Sequence, residues 1–563
     1  MTRLFGGVAL TRPVQAPDAG RLDDPFYDLV EARFRRVVEG DPVFATHLGI
    51  HGFDDRLGDV SREHLLGELE EDRRHLAAVE ALGPAGLSGA ARFERDLEIH
   101  NVRRAIFDTE VVRLWERRSR GIDGVGDALF PIFTRDFAPL PDRLMTIAAR
   151  LEGVPRQLLD HRTRATMPQV RPWQHIELVA ARSMPSFFDE ILEAGEVALG
   201  PAALRRLRLA ATAARAAISE QAAWIEGTLA GGTDDWALGR ERYDELVRLR
   251  AFDGLDADAI LEVGHEQLAR NHAVRVAAAR ELDAHASEAE VVDRIKSDHP
   301  ATFAAALDGY RDAMSRARRH LIERELVTVP PDEHVDVIET PAYLRGVMPF
   351  AAYFSPPKFD PKPVGLYVVT PSVDGDPGAM REHNWAAISN TSIHEAYPGH
   401  HLQLAVAAHH PSLSRLLADA PEFVEGWGMY SEQLMREEGF DDGPAFRVAL
   451  ATDAIWRAAR IVLDVRMHRG ELSMDGATEF LVQHTRFERP NALAEVRRYT
   501  YTPTYQLSYL LGKVLILGLR EAQRKRLGSA FSLRDFHDTL LRNGSLPISF
   551  HRRLLEGGPD PVV

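Results

Sequence analysis

The chain has 563 residues, 45% hydrophobic and 27% charged, the balance of a protein with a large buried core rather than of a disordered one. Its 84 acids against 68 bases give a formal net charge of −16, which opposes adhesion to nucleic acid or to an anionic membrane. No cysteine is present, so disulfides, iron–sulfur clusters, thiolate zinc sites and cysteine nucleophiles are excluded, and any metal must be held by His and carboxylate.

Met1–Leu10 lacks the apolar core and small-residue cleavage site of a secretory signal. No run reaches the roughly 18 to 20 apolar residues that span a bilayer. The expectation is a cytoplasmic protein. Helical periodicity then dominates: Phe26, Leu29, Val30, Phe34 and Val37 form one stripe, and similar stripes run through Leu204–Ile225, Ala257–Leu282 and Ala301–Leu326. The texture changes after Pro330, where prolines and aromatics replace periodicity. Within that stretch Val364–Thr370 is rich in β-branched and aromatic residues and predicts a short strand. Helical patterns resume near Trp385. The expected fold is mainly α: a helical N-terminal lobe over 1–330 and a catalytic lobe over 331–563, with the small β element near a cleft and the two lobes continuous.

The informative stretch is Ser392-Ile393-His394-Glu395-Ala396-Tyr397-Pro398-Gly399-His400-His401-Leu402-Gln403. Zinc peptidases commonly carry HExxH on a helix, with two His one turn apart on one ion and the Glu working on its water. Here the position four after His394 is Pro398. On an undistorted helix His400 points away from His394, while His401 shares its face but lies roughly 10 Å along the axis. Pro398 has no N–H and disfavours helical geometry at Tyr397, and Gly399 accepts almost any backbone conformation. A two-residue bulge there makes His400 the effective partner of His394 and turns Glu395 to the substrate side as base. His401 stays in reserve.

A catalytic zinc takes three protein ligands and leaves one position open. Pro421–Glu432 supplies a helix whose apolar face is Phe423, Val424, Trp427 and Tyr430. Glu425 and Glu432 lie two turns apart along one side of it. Further on, Asp464 and His468 are four apart on one helix. His468 could touch substrate or a ligand, or could simply bond Asp464. Tyr367 and Gly365, on the predicted strand, could pair with an extended substrate as edge strands do.

Phe423-Val424-Glu425, 25 residues after His400, resembles the Phe-Val-Glu segment of thimet-type oligopeptidases. That resemblance implies Glu425 as third zinc ligand and Glu432 as a partner of a ligand His. More closely, His-Glu-Ala-Tyr-Pro-Gly-His-His-Leu-Gln, the Glu-Gly-Trp segment, and Pro503–Tyr509 with Gly512-Lys513 resemble the bacterial family called domain of unknown function 885. It implies a mostly helical, zinc-peptidase-like fold. Enzymes of this broad class place a phenol or imidazole to steady the oxyanion, for which Tyr505, Tyr509 and His468 are the candidates.

The combined expectation is a zinc metallopeptidase with one Zn2+ per chain, ligands His394, His400 and Glu425, base Glu395, and a short peptide or amide as substrate. Two other readings remain open at this point: a metal-dependent enzyme acting on a non-peptide metabolite, and a non-catalytic zinc-binding helical protein. End preference, side-chain specificity and oligomeric state are not encoded in any motif.

Overall fold

The stripes fold as helices with close to the expected ends, among them Asp23–Gly40, Pro201–Thr228 and Phe303–Glu323. Local chemistry sets those ends. Thr302 caps its helix by accepting from the amide of Ala305, and Pro201 occupies the first turn, where its missing N–H costs nothing. The computed structural model describes residues 2–3, 9–10, 20–341, 345, 350–360, 363–371 and 379–557. The expectation drawn from Met1–Leu10 thus lies mostly outside the described residues.

Six helices build or support the site: α1 (Ala257–Leu282), α2 (Trp385–Glu395), α3 (His400–Ala408), α4 (Pro421–Glu437), α5 (Pro444–His468) and α6 (Leu510–Leu527). An N-terminal bundle of Gly121–Thr134, Leu140–Arg164, Arg171–Ala198 and Pro201–Thr228 closes around Ile147, Leu151, Phe187, Phe188 and Ile218. A larger core crosses the change of texture at 330. Ile260, Leu268, Tyr310 and Leu321 from before it pack with Trp427, Tyr430, Ile461 and Leu511 from after it. Gly264 of α1 brings that helix flush against Ile461 and Val462 of α5, where an added Cβ would lie 2.9 Å and 3.1 Å from their side chains.

Besides a short antiparallel pairing of β1 (Thr2–Arg3) with β2 (Ala9–Leu10), one small sheet is present among the described residues. It holds β3 (Val335–Glu339), β4 (Ala351–Phe354) and β5 (Gly365–Val369) in the order β3-β5-β4. β5 is the predicted strand, and it is central. Tyr367 faces Val337 in a parallel pair on one side and Tyr353 in an antiparallel pair on the other. Its backbone groups are therefore spoken for, and Tyr367 is fully buried. The expectation that Gly365 and Tyr367 hold an extended substrate at a sheet edge is corrected: they belong to an ordinary core strand. No helix among the described residues is long and apolar enough to cross a membrane.

Candidate metal centre

Asn384 caps α2 by accepting from the amide of Ala387, and the helix delivers His394 and Glu395 in its last turn. Pro398 then does more than insert a bulge. The expected distortion within one helix is a complete break, with α2 ending at Glu395 and α3 starting at His400. The Tyr397–Pro398 peptide is cis. Across the break the amide of Gly399 donates to the carbonyl of Ile393 at 3.0 Å, and Trp427 Nε1 donates to the carbonyl of Pro398 at 2.7 Å. A Cβ on residue 399 would lie 1.9 Å from the His394 carbonyl oxygen, so only glycine fits this crossing.

The break brings His394 and His400 together with their rings perpendicular, centroids 4.6 Å apart. Oε2 of Glu425, on α4, lies 3.6 Å from His394 Nε2 and 3.4 Å from His400 Nε2. One ligand atom from each residue falls within 4.8 Å of the others, the sole group of three such residues meeting that test among the described residues. Ligand atoms bound at about 2.0–2.1 Å around a tetrahedral zinc stand roughly 3.3 Å apart. The residues fit that ion. His394 Nδ1 meets Oε1 of Glu432 at 2.7 Å, which anchors that side of the ring and turns Nε2 toward the other ligands. Asn390 Nδ2 donates to Glu432 and to Asp453, both at 2.9 Å.

Glycines set the spacing. A Cβ at Gly428 would sit 2.7 Å from the His394 ring, and one at Gly426 would sit 2.5 Å from the backbone of Gly512. Helices α4 and α6 thus cross backbone to backbone, directly under Glu425.

The electrostatics favour positive charge between these groups. Burial would raise the Glu425 carboxyl, but hydrogen bonding and charge from His394 and His400 hold it well below the usual carboxylate range. Burial would lower His394, yet Glu425 and Glu432 lift it to about 10. Glu395 is half-buried; desolvation raises its carboxyl, with the two histidines pulling the other way. Burial brings Lys513, close to Glu432, down to about 8.

Tyr505 is also at the centre, its phenol donating to Glu425 Oε1 at 2.8 Å. It follows Thr504, whose φ of +67° is an uncommon conformation for a β-branched residue. Asp464 of α5 holds that turn by accepting from the Thr504 amide at 2.9 Å, while also accepting from Tyr243 Oη at 2.7 Å. Tyr509 packs edge-on to Tyr505, with ring centroids 5.9 Å apart.

Two expected site residues lie elsewhere. His468 is buried in the core, stacked on Tyr243, and its Nε2 donates to the carbonyl of Tyr499 at 3.0 Å. Burial brings it to about 4, so it is a neutral core histidine removed from the three candidate ligands. His401, the reserve ligand and expected neighbour of the metal shell, points the other way. Its Nε2 meets Glu333 at 2.7 Å and its Nδ1 meets Tyr353 Oη at 2.9 Å. Glu333 also accepts from Tyr397 and from Arg318. Gly365 backs this cluster, since a Cβ there would lie 2.4 Å from Tyr353 Oη. Sequence reasoning missed Asn390, Glu333, Gly428 and Asp464 in its role on Thr504. Asn390 had a usable signal, being one helical turn before His394 on the same face; Glu333, from beyond the helices, had none.

The chain belongs to the bacterial family of unknown function 885, whose model matches residues 42–555. Two solved structures share its fold. One, from Shewanella oneidensis, is described as a candidate lipoprotein of unknown function; it is 21% identical, covers 94% of this chain and all of its own, and has a TM-score of 0.77. The other, described as a candidate lipoprotein from Colwellia psychrerythraea, is 18% identical, covers 95% of this chain and 98% of its own, and has a TM-score of 0.81. At that identity the likeness is one of fold. No curated protein matches the chain.

Proposed function

We propose that this member of the family is a zinc-dependent metallopeptidase that hydrolyses short peptides. The observation that carries the reading is the pair of imidazole nitrogens, His394 Nε2 and His400 Nε2, at 3.6 Å and 3.4 Å from one oxygen of Glu425. His394, His400 and Glu425 would hold a zinc ion, which would supply Lewis acidity to lower the pKa of water at the site. Glu395, next to His394 in sequence and half-open to solvent, takes the proton of the attacking water and passes it to the leaving amine. Burial raises its carboxyl, the direction that favours a group which must both take and return a proton. Tyr505, already a donor to Glu425, or Tyr509 beside it, steadies the charge that develops on the scissile carbonyl oxygen. The Phe-Val-Glu likeness to thimet-type oligopeptidases is part of this reading. So is a cytoplasmic location. Cell fractionation with an antibody to the chain tests that assignment.

The deciding experiment is digestion of a mixed short-peptide library by zinc-loaded wild type and by Glu395→Gln, read by mass spectrometry. Cleavage by wild type that falls by about 10²–10⁴-fold in a folded, zinc-replete Glu395→Gln protein is the expected result. If zinc-loaded wild type cleaves nothing, the peptidase reading fails, and a non-peptide substrate takes its place.

A further inference from the structure

Beside the tyrosines lies a cationic recess that the proposed chemistry leaves unused. Arg457 and Arg460, on α5, lay their guanidinium groups against the ring of Trp456, at 3.7 Å and 4.1 Å from its centroid. Both also approach the ring of Tyr509, at 5.4 Å and 4.8 Å. Few acids pair with them directly. Glu495 is shared by Arg460 at 3.0 Å and Arg498 at 2.8 Å. Arg457 has no hydrogen bond and no ion pair among the described residues, and the Nη1 atoms of both Arg457 and Arg460 are buried without a partner.

Two neighbouring guanidinium groups repel each other, and an unmet buried donor costs roughly 1–3 kcal/mol. Such a pair persists where an anion completes it. The nearest acid of its own helix is Asp453, one turn away, which is engaged with Asn390 and is raised by burial to about 6. It acts on Arg457 by charge, as Glu432 does, but forms no ion pair with it among the described residues. The cluster also reaches the surface. Trp456, Arg457, Tyr505 and Tyr509 each keep part of their surface exposed, whereas the α5 residues between them, Ala458 and Ala459, are buried. From Arg457 the path to the candidate metal ligands is short: Arg457 to Tyr509, Tyr509 to Tyr505, and Tyr505 to Glu425.

We propose that Arg457, with Arg460 beside it, forms a subsite for a substrate carboxylate, set one tyrosine pair away from the scissile bond. Guanidinium forks match carboxylates in a bidentate geometry, and the aromatic wall of Trp456 and Tyr509 excludes water from the contact. The subsite rests on the peptidase reading and narrows its substrates to peptides with an anionic group near the cleaved bond. That group is either the C-terminal carboxylate or an acidic side chain.

The test measures binding, so that it does not depend on turnover. Full-length, zinc-loaded protein carrying Glu395→Gln is titrated calorimetrically with three N-acetylated peptides of one sequence: the free acid, the C-terminal amide, and the amide with one internal Glu. The series is repeated with Arg457→Gln and Arg457→Lys added. Arg457 has no ion-pair partner to orphan, so these variants should fold, and circular dichroism and zinc content check this. The expected result is at least tenfold tighter binding of a carboxylate-bearing peptide than of the plain amide, less than twofold in Arg457→Gln, with partial recovery in Arg457→Lys. A preference for the free acid identifies the C-terminus as the source; a preference for the internal Glu identifies a side chain. Equal binding of all three peptides, binding of none, or a preference that survives Arg457→Gln overturns the subsite. The same peptides incubated with wild type report separately on the peptidase reading: a carboxylate preference without cleavage sinks that reading and leaves the subsite standing.

Discussion

Glu177 in the N-terminal bundle and Glu432 behind the candidate metal ligands are both almost wholly buried, and the molecule treats them in opposite ways. Burial pushes Glu177 up to about 8, helped by Asp123, so near neutral pH it resolves its desolvation by holding a proton. Glu432 feels the same burial but is held below the usual range by the hydrogen bond and charge of His394, with Asn390 assisting. The bundle hides an acid by neutralising it; behind His394 and His400, Glu425 and Glu432 stay ionised with donors arranged around them. Both answers to burial occur in the one chain, and the candidate metal ligands use the second.

The widest break in that comparison comes from the two adjacent histidines of α3. His400→Ala should abolish stoichiometric zinc binding, read by mass spectrometry of the desalted protein. His401→Ala, which cuts the Glu333–Tyr353 cluster instead, should retain about one zinc per chain. Zinc lost equally from both would mean that His401 supports the ion after all. Tyr505→Phe removes a donor from Glu425 without removing a ligand. Peptide cleavage should drop by about 10–10³-fold at unchanged zinc content, and an unaltered rate would pass the oxyanion role to Tyr509. Glu432→Ala frees the His394 ring, and zinc affinity measured by competition with a chelator should weaken by about 10–100-fold.

The smallest effect tests the bundle. Because Glu177 has a folded pKa above its unfolded one, its contribution to stability is full below about 4.5 and is lost as pH rises toward about 8. Glu177→Gln should therefore gain thermal stability relative to wild type at pH 9 compared with pH 5, by about 1–2 °C in a thermal-shift assay. The opposite sign would show that the buried side chain is ionised and paired.

Much of this was legible in the sequence because it depended on spacing along one chain. The helical stripes fold over nearly their expected spans. The substitution of Pro398 for a ligand pointed to distortion near Gly399, although a bulge was expected and a break between two helices is found. Glu425 and Glu432 share a helix side and both reach His394. What stayed hidden depends on pairing across the chain. No local pattern states that Gly365–Val369 has a neighbour on each edge, or that His468 stacks on Tyr243, 225 residues earlier. The Glu333 contact to His401 likewise joins a loop to a helix through space.

The touching glycines at positions 426 and 512 make the distance between α4 and α6 a fixed dimension, with no side chain to yield between them. Glu425 hangs from one of these helices, and Tyr505 and Tyr509 from the turn that opens the other. The pair acts as a gauge block for the candidate metal centre. A methyl group added at either position does not merely crowd the interior; it resets how far the carboxylate stands from the phenols. Changes to the arginines of α5 leave that spacing untouched, because the two glycines lie on other helices.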